Sequence, residues 1–350
     1  MPLRRFDTHP SGETAGDPGR SDAAIRADAL LVRLADGRPR AIETLLARAR
    51  ANRDLLDRDL RELERRGLEL VRDDEGRIRL ARPLELLEAD ALLTRIPPTA
   101  AARIERLEVF VSLDSTNRRL LESEAPAPGT ARICIDEYQH AGRGRRGRRW
   151  IAPPAAGLCL SAAWQFVDRP QALPALALAA GVAARRAVRD VCGADVALKW
   201  PNDLVLAGGK LGGILVETAP RGRGVLAVVG VGINVALPRG AAELSDWPGG
   251  AADLSGKRNG AAPSRAGLAA ALIARLIELL AAYHETGLGP HLPELRAADV
   301  LLGRPVVAAE AGREIRGIAA GIDADGALLL DDEHGRRRRV LSGDVTVRPA

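Results

Sequence analysis

The stretch Gly142-Arg143-Gly144-Arg145-Arg146-Gly147-Arg148-Arg149-Trp150 decides which architectures this chain can adopt. It sets five arginines on three glycines, so it is both flexible and strongly positive. Glycine lets backbone wrap closely around a ligand, and guanidinium forks pair with carboxylates and phosphates. Ordering such a loop with nothing bound costs about 1–2 kcal/mol per residue, so it is expected to order around an anion. Its Gly142-x-Gly144-x-x-Gly147 spacing also fits the dinucleotide fingerprint of a doubly wound sheet. That fold needs a helix opening directly after the glycines. Here Trp150-Ile151-Ala152-Pro153-Pro154 follows, and the paired prolines break any helix. No glycine–lysine pair is followed by Ser or Thr at the spacing of a Walker loop. Taken alone, the segment also reads as a solvated basic loop for nucleic acid.

Working outward, the 350 residues suggest two or three domains. The chain is 46% hydrophobic but only 3% aromatic, so its cores must be built from Leu, Ala and Val. A net charge of +5 suits polyanionic ligands. Among 51 basic residues only Lys199, Lys210 and Lys257 are lysine, and the first two lie close together. A chain that otherwise writes arginine has use for a compact ammonium there. Cys134, Cys159 and Cys192 are far apart with apolar neighbours, which reads as core filling in a reducing cytoplasm. The histidines show no metal-ligand spacing, and the N-terminus has no apolar signal core. The apolar run at Leu173–Ala184 contains Pro174 and is too short to span a bilayer. The expectation is a cytoplasmic protein with no membrane partner.

The first 22 residues are polar and rich in Gly, Pro and Asp, and read as a disordered tail. Residues 23–83 predict three helices, on Ile25–Leu34, Ile42–Leu46 and Leu55–Leu63, then two short strands around the turn Asp73-Asp74-Glu75-Gly76. That is the order of a winged helix-turn-helix, or of a small helical interaction module. A connecting helix, Leu84–Arg95, is stopped by Pro97-Pro98 and leads through 104 into a larger unit, 105–298. Strands are predicted there at Leu107–Leu113, Ala131–Glu137, Leu158–Gln165, Val196–Lys199, Gly213–Glu217 and Val225–Val231, with helices at Leu173–Cys192 and Ser264–Thr286. Residues 299–350 break into short apolar pieces between glycines, which suits a small β-barrel.

Four clusters in the large unit fall in turns or at strand ends: Asp114-Ser115-Thr116-Asn117, Gln139 with the arginine–glycine loop, Lys199-Trp200-Pro201-Asn202-Asp203, and Lys210-Leu211-Gly212-Gly213-Ile214. Gly230-Val231-Gly232-Ile233-Asn234 follows a strand. Each has an ordinary reading alone: a helix cap, a turn, a close packing of strands. In this order they resemble the biotin protein ligases, and most closely the bacterial form that doubles as the biotin operon repressor. The resemblance covers residues 105–348 and, more loosely, 23–95. It implies a multidomain α/β protein with an N-terminal winged helix-turn-helix. The central mixed α/β catalytic domain would be akin to class II aminoacyl-tRNA synthetases, and a C-terminal SH3-like β-barrel would follow.

The resemblance further implies that biotin and ATP with Mg give biotinyl-5′-adenylate, and that the activated biotin passes to a lysine of the biotin carboxyl carrier protein of acetyl-CoA carboxylase. Ser115, Thr116, Asn117 and Gln139 match biotin-site positions and can serve a buried ureido group. Arg143, Gly144 and Arg145 match the loop that closes over the carboxylate–phosphate junction. Lys210 matches the lysine beside the biotin carboxylate and phosphoryl oxygens. Asp203 would help position metal or phosphate. Arg148, Trp150, Asn202 and Asn234 match positions near the nucleotide. No side chain need act as nucleophile, because the substrate carboxylate attacks, so catalysis is positioning and electrostatics. Few surface lysines would also leave a leaking adenylate little of the enzyme to modify, although a general bias toward arginine gives the same composition.

The N-terminal unit departs from the repressor pattern. The helix in the reading position, Arg53–Arg66, sets Arg53, Arg58, Arg61, Arg65 and Arg66 against Asp54, Asp57, Asp59, Glu62 and Glu64. The turn Asp73-Asp74-Glu75 is acidic, while Arg38, Arg40, Arg48 and Arg50 are basic. Phosphate neutralisation drives DNA binding, so operator DNA as a partner and a ligase that has lost DNA binding both stand. A lipoate-type ligase is the further alternative. A ligand-linked homodimer is expected from the related repressors.

Overall fold

The computed structural model describes residues 21–49, 52–168, 170, 173–238, 247–258, 262–310, 313–341 and 344–347. The tail expected over 1–22 therefore lies outside the described residues up to 20, while Ser21 and Asp22 already belong to a helix. Ser21 caps α1 (Asp22–Leu34), its side chain accepting from Ala24 N. Next come α2 (Ile42–Ala49) and α3 (Arg53–Arg65), the latter capped by Asn52. A two-stranded antiparallel hairpin, β1 (Leu70–Arg72) and β2 (Ile78–Leu80), completes the unit. Leu30, Leu31, Leu34, Leu45, Leu56, Leu60, Leu63, Ile78 and Leu80 close a core of their own, against which Val111 of the next unit packs.

The predicted connecting helix does not form as such. Residues 84–88 are not helical, and two short helices follow, α4 (Ala89–Leu93) and α5 (Pro98–Ala101). Pro98 opens α5 instead of stopping a helix. A first-turn position needs no N–H donor, and proline's fixed φ suits it.

The central sheet has seven strands in the order β3-β4-β5-β9-β8-β7-β6. They are β3 (Ile104–Phe110), β4 (Ala131–Asp136), β5 (Gly157–Phe166), β6 (Ala197–Lys199), β7 (Asp203–Leu206), β8 (Gly209–Arg221) and β9 (Gly224–Asn234). β3 and β4 run parallel and the other neighbours antiparallel. One face packs on α7 (Leu176–Cys192) and α8 (Arg265–Thr286), and α6 (Thr116–Glu122) sits across β4, β5 and β9. α8 is long and apolar enough to cross a membrane by composition, which the expectation drawn from Leu173–Ala184 overlooked. Here it is a core helix. Leu268, Leu272, Ile273, Leu276 and Leu280 are buried in the main core.

After α9 (Leu292–Ala298), β10 (Pro305–Glu310), β11 (Arg313–Ile322), β12 (Leu328–Asp331), β13 (Arg337–Val340) and β14 (Asp344–Val347) form an antiparallel sheet in the order β13-β12-β11-β10-β14. Its Val306, Ala319, Leu328 and Val340 join the main core, and Trp200 Nε1 donates to Gly326 O at 2.9 Å.

Candidate functional site

Strand periodicity builds the site. Successive residues of a strand face opposite sides. β5 sends Leu158, Leu160, Ala162 and Trp164 into the main core, and β9 sends Ala227, Val229, Val231 and Ile233. The intervening residues face α6. There Ala163, Leu226 and Val228 close a small core with Leu113, Leu120 and Cys134. On the same face, further along, the register pairs Ser161 with Gly230 and Cys159 with Gly232. Small residues stand where a core would carry Leu or Val. The space left is part of a cavity of about 620 Å³.

Every residue that the resemblance matched to a biotin or nucleotide position lines this cavity. At one end are Ser115, Thr116, Asn117 and Gln139. Ser115 is also the N-cap of α6, accepting from Arg118 N at 3.4 Å, so its functional and capping readings coincide. Ser161 Oγ lies 2.6 Å from Asn117 Oδ1 and 2.7 Å from Thr116 Oγ1, and the Asn117 amide donates to Leu215 O and Glu217 Oε2. A Cβ on Gly230 would stand 2.2 Å from Asn117 Oδ1, so glycine is required there.

At the other end the loop supplies Arg143, Gly144, Arg145 and Arg148. Gly144 N donates to Arg148 O at 2.7 Å, and Trp150 N donates to Gly142 O at 2.9 Å. Arg146 takes the left-handed region at φ 56°, ψ 38°, which is uncommon outside glycine and strained. Arg145 Nη1 reaches Asn202 Oδ1 at 3.5 Å, and Asn202 Nδ2 donates to Ile214 O at 2.7 Å. Trp150 lies on Gly232, whose Cβ would approach the indole to 2.7 Å. Burial pushes the Cys159 thiol behind it up to about 12, and neighbouring Asp136 adds to the rise. Asn234, buried, donates to Lys210 O at 3.3 Å and Ala252 O at 3.0 Å.

Lys210 and Asp203 meet between the two ends, Nζ to Oδ1 at 2.6 Å. An irregularity in β7 between Leu204 and Val205 sets the register that pairs Lys210 with Val205. Among the described residues that line the cavity Asp203 is the sole carboxylate, against Arg143, Arg145, Arg148, Arg149, Lys199 and Lys210. Among the described residues no group of three or more His, Cys, Asp or Glu could hold a metal ion. The donor set suits an anion that brings its own Mg, held through phosphate oxygens.

Sequence reasoning marked Lys199 as a place for a compact ammonium but gave it no site role, and it missed Trp247 at the cavity wall. Lys199 Nζ lies 4.2 Å, and Lys210 Nζ 5.8 Å, from the centre of the Trp247 ring. Composition held the signal: Trp150, Trp200 and Trp247, three of the chain's four tryptophans, line one cavity. Ser161, Glu217 and the C-terminal Val345 were also missed.

Residues 109–234 match the Biotin/lipoate A/B protein ligase family, and residues 301–348 match the biotin protein ligase C terminal domain. A bifunctional ligase/repressor BirA of Salmonella typhimurium is 33% identical over 324 residues, 92% of this chain and 97% of that protein. A biotin--[acetyl-CoA-carboxylase] ligase of Mycobacterium tuberculosis is 37% identical over 247 residues, 69% of this chain and 88% of the relative. The biotin protein ligase of Aquifex aeolicus, solved in complex with biotin and ATP, is similar at a TM-score of 0.58 and 27% identity, over 70% of this chain and 100% of that one. The fold and the cavity define a ligase that handles an acid and a nucleotide together, and the chain belongs to the biotin protein ligase family. It is a biotin–protein ligase. These relatives do not favour the lipoate alternative.

Proposed function

We propose that the cavity joins biotin to the α-phosphate of ATP and then delivers the acyl group to a lysine of a biotin carboxyl carrier domain. One observation carries this reading: neutral hydrogen-bonding groups at one end and arginines at the other converge on the Lys210–Asp203 pair. In the first step a biotin carboxylate oxygen attacks the α-phosphorus and the bond to the β-phosphate oxygen breaks, releasing pyrophosphate. In the second a carrier lysine amine attacks the acyl carbon, AMP leaves with the bond electrons, and the amine proton is lost. Both reactants of the first step are anions. Lys210, Arg143 and Arg145 offset their repulsion and stabilise the charge that builds on the phosphoryl oxygens. Mg would supply further charge neutralisation on the phosphates. Ser115, Thr116 and Gln139 would hold the ureido group, and Trp150 and Asn234 the adenine end. Exchange of labelled pyrophosphate into ATP, run with biotin and with lipoate, tests the reading. Exchange with biotin is expected, and exchange with lipoate alone would sink it.

A second activity, biotin-responsive repression through a winged helix, has its own support. The relative called a bifunctional ligase/repressor matches over 97% of its length, and the N-terminal order is three helices and a hairpin. Three of the five acids of α3 carry ion pairs: Asp57 with Arg53, Asp59 with Arg26 of α1, and Glu62 with Arg65 and Arg66. They therefore oppose a phosphate backbone less than their number suggests. The C-terminal sheet fits the proposal of an SH3-like barrel, and its Val345 reaches the cavity. A ligand-linked homodimer belongs to the same proposal.

A further inference from the structure

Glu217 stands on β8 outside the cavity wall, yet one of its oxygens ties together two parts of the site that are distant in sequence. Glu217 Oε2 accepts from Asn117 Nδ2 at 2.8 Å and lies 3.2 Å from Arg143 Nη2. Asn117 belongs to α6, at the neutral end of the cavity, whereas Arg143 opens the arginine–glycine loop. The polarity of the connection is fixed. Leu215 O can only accept, so the Asn117 amide nitrogen faces it and Glu217, and Oδ1 faces Ser161. An amide oxygen cannot donate, so Ser161 donates its single hydroxyl proton to Asn117, and the Thr116 hydroxyl donates to Ser161. The result is a directed row of hydrogen bonds from Thr116 through Ser161 and Asn117 to Glu217, where Arg143 closes it.

The surroundings hold the row in place. Ser161 and Asn117 are buried, and Gly230 leaves the space that Asn117 occupies. Arg143 is the more exposed partner: its side chain is 44% exposed and that of Glu217 25%. Its neighbours 144–149 have little burial to fix them.

We propose that Glu217 is a positioning residue. Its carboxylate anchors the start of the loop to the end of the cavity that would read biotin's rings, so that loop closure and ring binding share one support. The functional half of this inference rests on the reading of the cavity as a biotin and ATP site. The structural half does not.

Two measurements on the full-length protein separate the halves. Hydrogen exchange of the ligand-free chain reads the anchor alone. In Glu217→Gln the amide oxygen still accepts from Asn117, but the ion pair with Arg143 is lost. Amides of 142–150 should then exchange about three- to fivefold faster, the range of a partly exposed ion pair, while those of α6 stay at the wild-type rate. Arg143→Gln, a change at an exposed side chain that leaves the buried row intact, should reproduce this. The double variant should be no faster than either single one. Wild-type loop protection in either variant, or single effects that multiply in the double, overturns the inference. The second measurement is retention of adenylate through gel filtration after reaction with biotin and ATP. Glu217→Gln should release it about three- to fivefold faster, with biotin KM moving less than the release rate. Wild-type retention alongside a raised biotin KM would make Glu217 a support for Asn117 only, and overturn the anchor. Absence of biotin-dependent pyrophosphate exchange in the wild type would instead refute the function itself, leaving the exchange comparison to stand.

Discussion

Lys210 is one of three lysines in a chain with 51 basic residues, and its ammonium lies 2.6 Å from Asp203 in a cavity whose other cations, among the described residues, are Lys199 and the guanidinium groups of Arg143, Arg145, Arg148 and Arg149. A point charge with three donors can turn from Asp203 toward a phosphoryl oxygen without moving the strand, whereas a planar fork cannot. Lys210→Arg should therefore cost about as much adenylate formation as Lys210→Ala, on the order of a hundredfold, which corresponds to about 3 kcal/mol for a charged hydrogen bond. Single-turnover adenylate formation measures it, and a wild-type rate in the arginine variant would remove Lys210 from the mechanism. Asp136 poses a different residue-scale question. It ends β4 fully buried, and neither carboxyl oxygen meets a hydrogen-bond partner among the described residues. Burial pushes its carboxyl well above the usual range, Glu137 adds to the rise, and Arg265 opposes it. The sign follows from linkage. The folded state holds this proton more tightly than the unfolded chain, so the associated stability is complete below the ordinary carboxylate value near 3.8 and is lost as pH rises toward the folded value. Asp136→Asn should stabilise the protein by about 1–3 kcal/mol at pH 8, the cost of an unsatisfied buried group, with the gain vanishing toward pH 4. Urea midpoints at the two pH values decide. Equal gains at both would show that the native and unfolded chains hold this proton equally, so that burial does not raise the Asp136 carboxyl.

At the scale of elements, β9 carries the site's division of labour. Gly230 faces Asn117 and Gly232 faces Trp150, one rung apart. An alanine at either must displace its neighbour, at about 1–3 kcal/mol of overpacking. Gly230→Ala should raise the KM for biotin tenfold or more and leave that for ATP within a few-fold. Gly232→Ala should do the reverse. Steady-state kinetics with each substrate varied would show it, and the same response from both variants would mean that the cavity does not divide at this strand. Much of this was legible in the sequence. The glycine pair, the arginine loop and the Lys-Trp-Pro-Asn-Asp segment each carry chemistry in consecutive residues, so their meeting in one cavity could be anticipated. Ser161 and Glu217 could not be found that way, because a serine within an apolar strand and a glutamate within β8, two strands away, acquire meaning only from the register of β5, β9 and β8. β7 goes unpredicted because Pro201-Asn202-Asp203 signals a turn and only Leu204-Val205-Leu206 follow before the turn at Ala207-Gly208. The helix expected from Leu84 failed for a tertiary reason. Leu87 N donates to Glu137 Oε1 at 2.6 Å, and Glu85 accepts from Arg265 N at 2.9 Å and from Ala266 N at 3.2 Å. Arg265 Nη1 also donates to Glu85 O, taking the carbonyl that the Ala89 N–H would use in a continuous helix.

For the whole molecule, these contacts determine where the N-terminal unit can be removed and how it speaks to the site. Arg66 Nη1 pairs with Asp28 Oδ1 at 2.6 Å, both nearly excluded from solvent, and its guanidinium lies 5.0 Å from the Tyr138 ring centre, one residue before Gln139. Ser112 Oγ donates to Asp28 Oδ2 at 2.8 Å. The N-terminal unit thus rests on the two segments that carry Ser115 and Gln139. The segment after it belongs to the main core, since Leu87, Ala89 and Leu92 are buried there. Deletion of residues 1–83 should leave a folded protein that still forms adenylate but holds biotin less tightly, because Tyr138 and Ser112 lose their partners. Deletion of residues 1–95 should destabilise it by several kcal/mol more, at about 2–5 kcal/mol for each buried leucine lost. Thermal melts of the two truncations compare them directly, and equal stabilities would contradict the placement of this segment in the core. The same connection gives the DNA prediction its form. With α3 close to neutral and three of its five acids paired, one copy offers few phosphate contacts, and a dimer formed around bound adenylate would double them. Specific binding to the protein's own biotin-synthesis promoters should appear only with biotin and ATP present. It should steepen by about 0.9 in log–log salt slope for each phosphate neutralised. An anisotropy titration at low salt reads both quantities. No adenylate-dependent shift would leave a ligase whose N-terminal unit braces the site and does not repress.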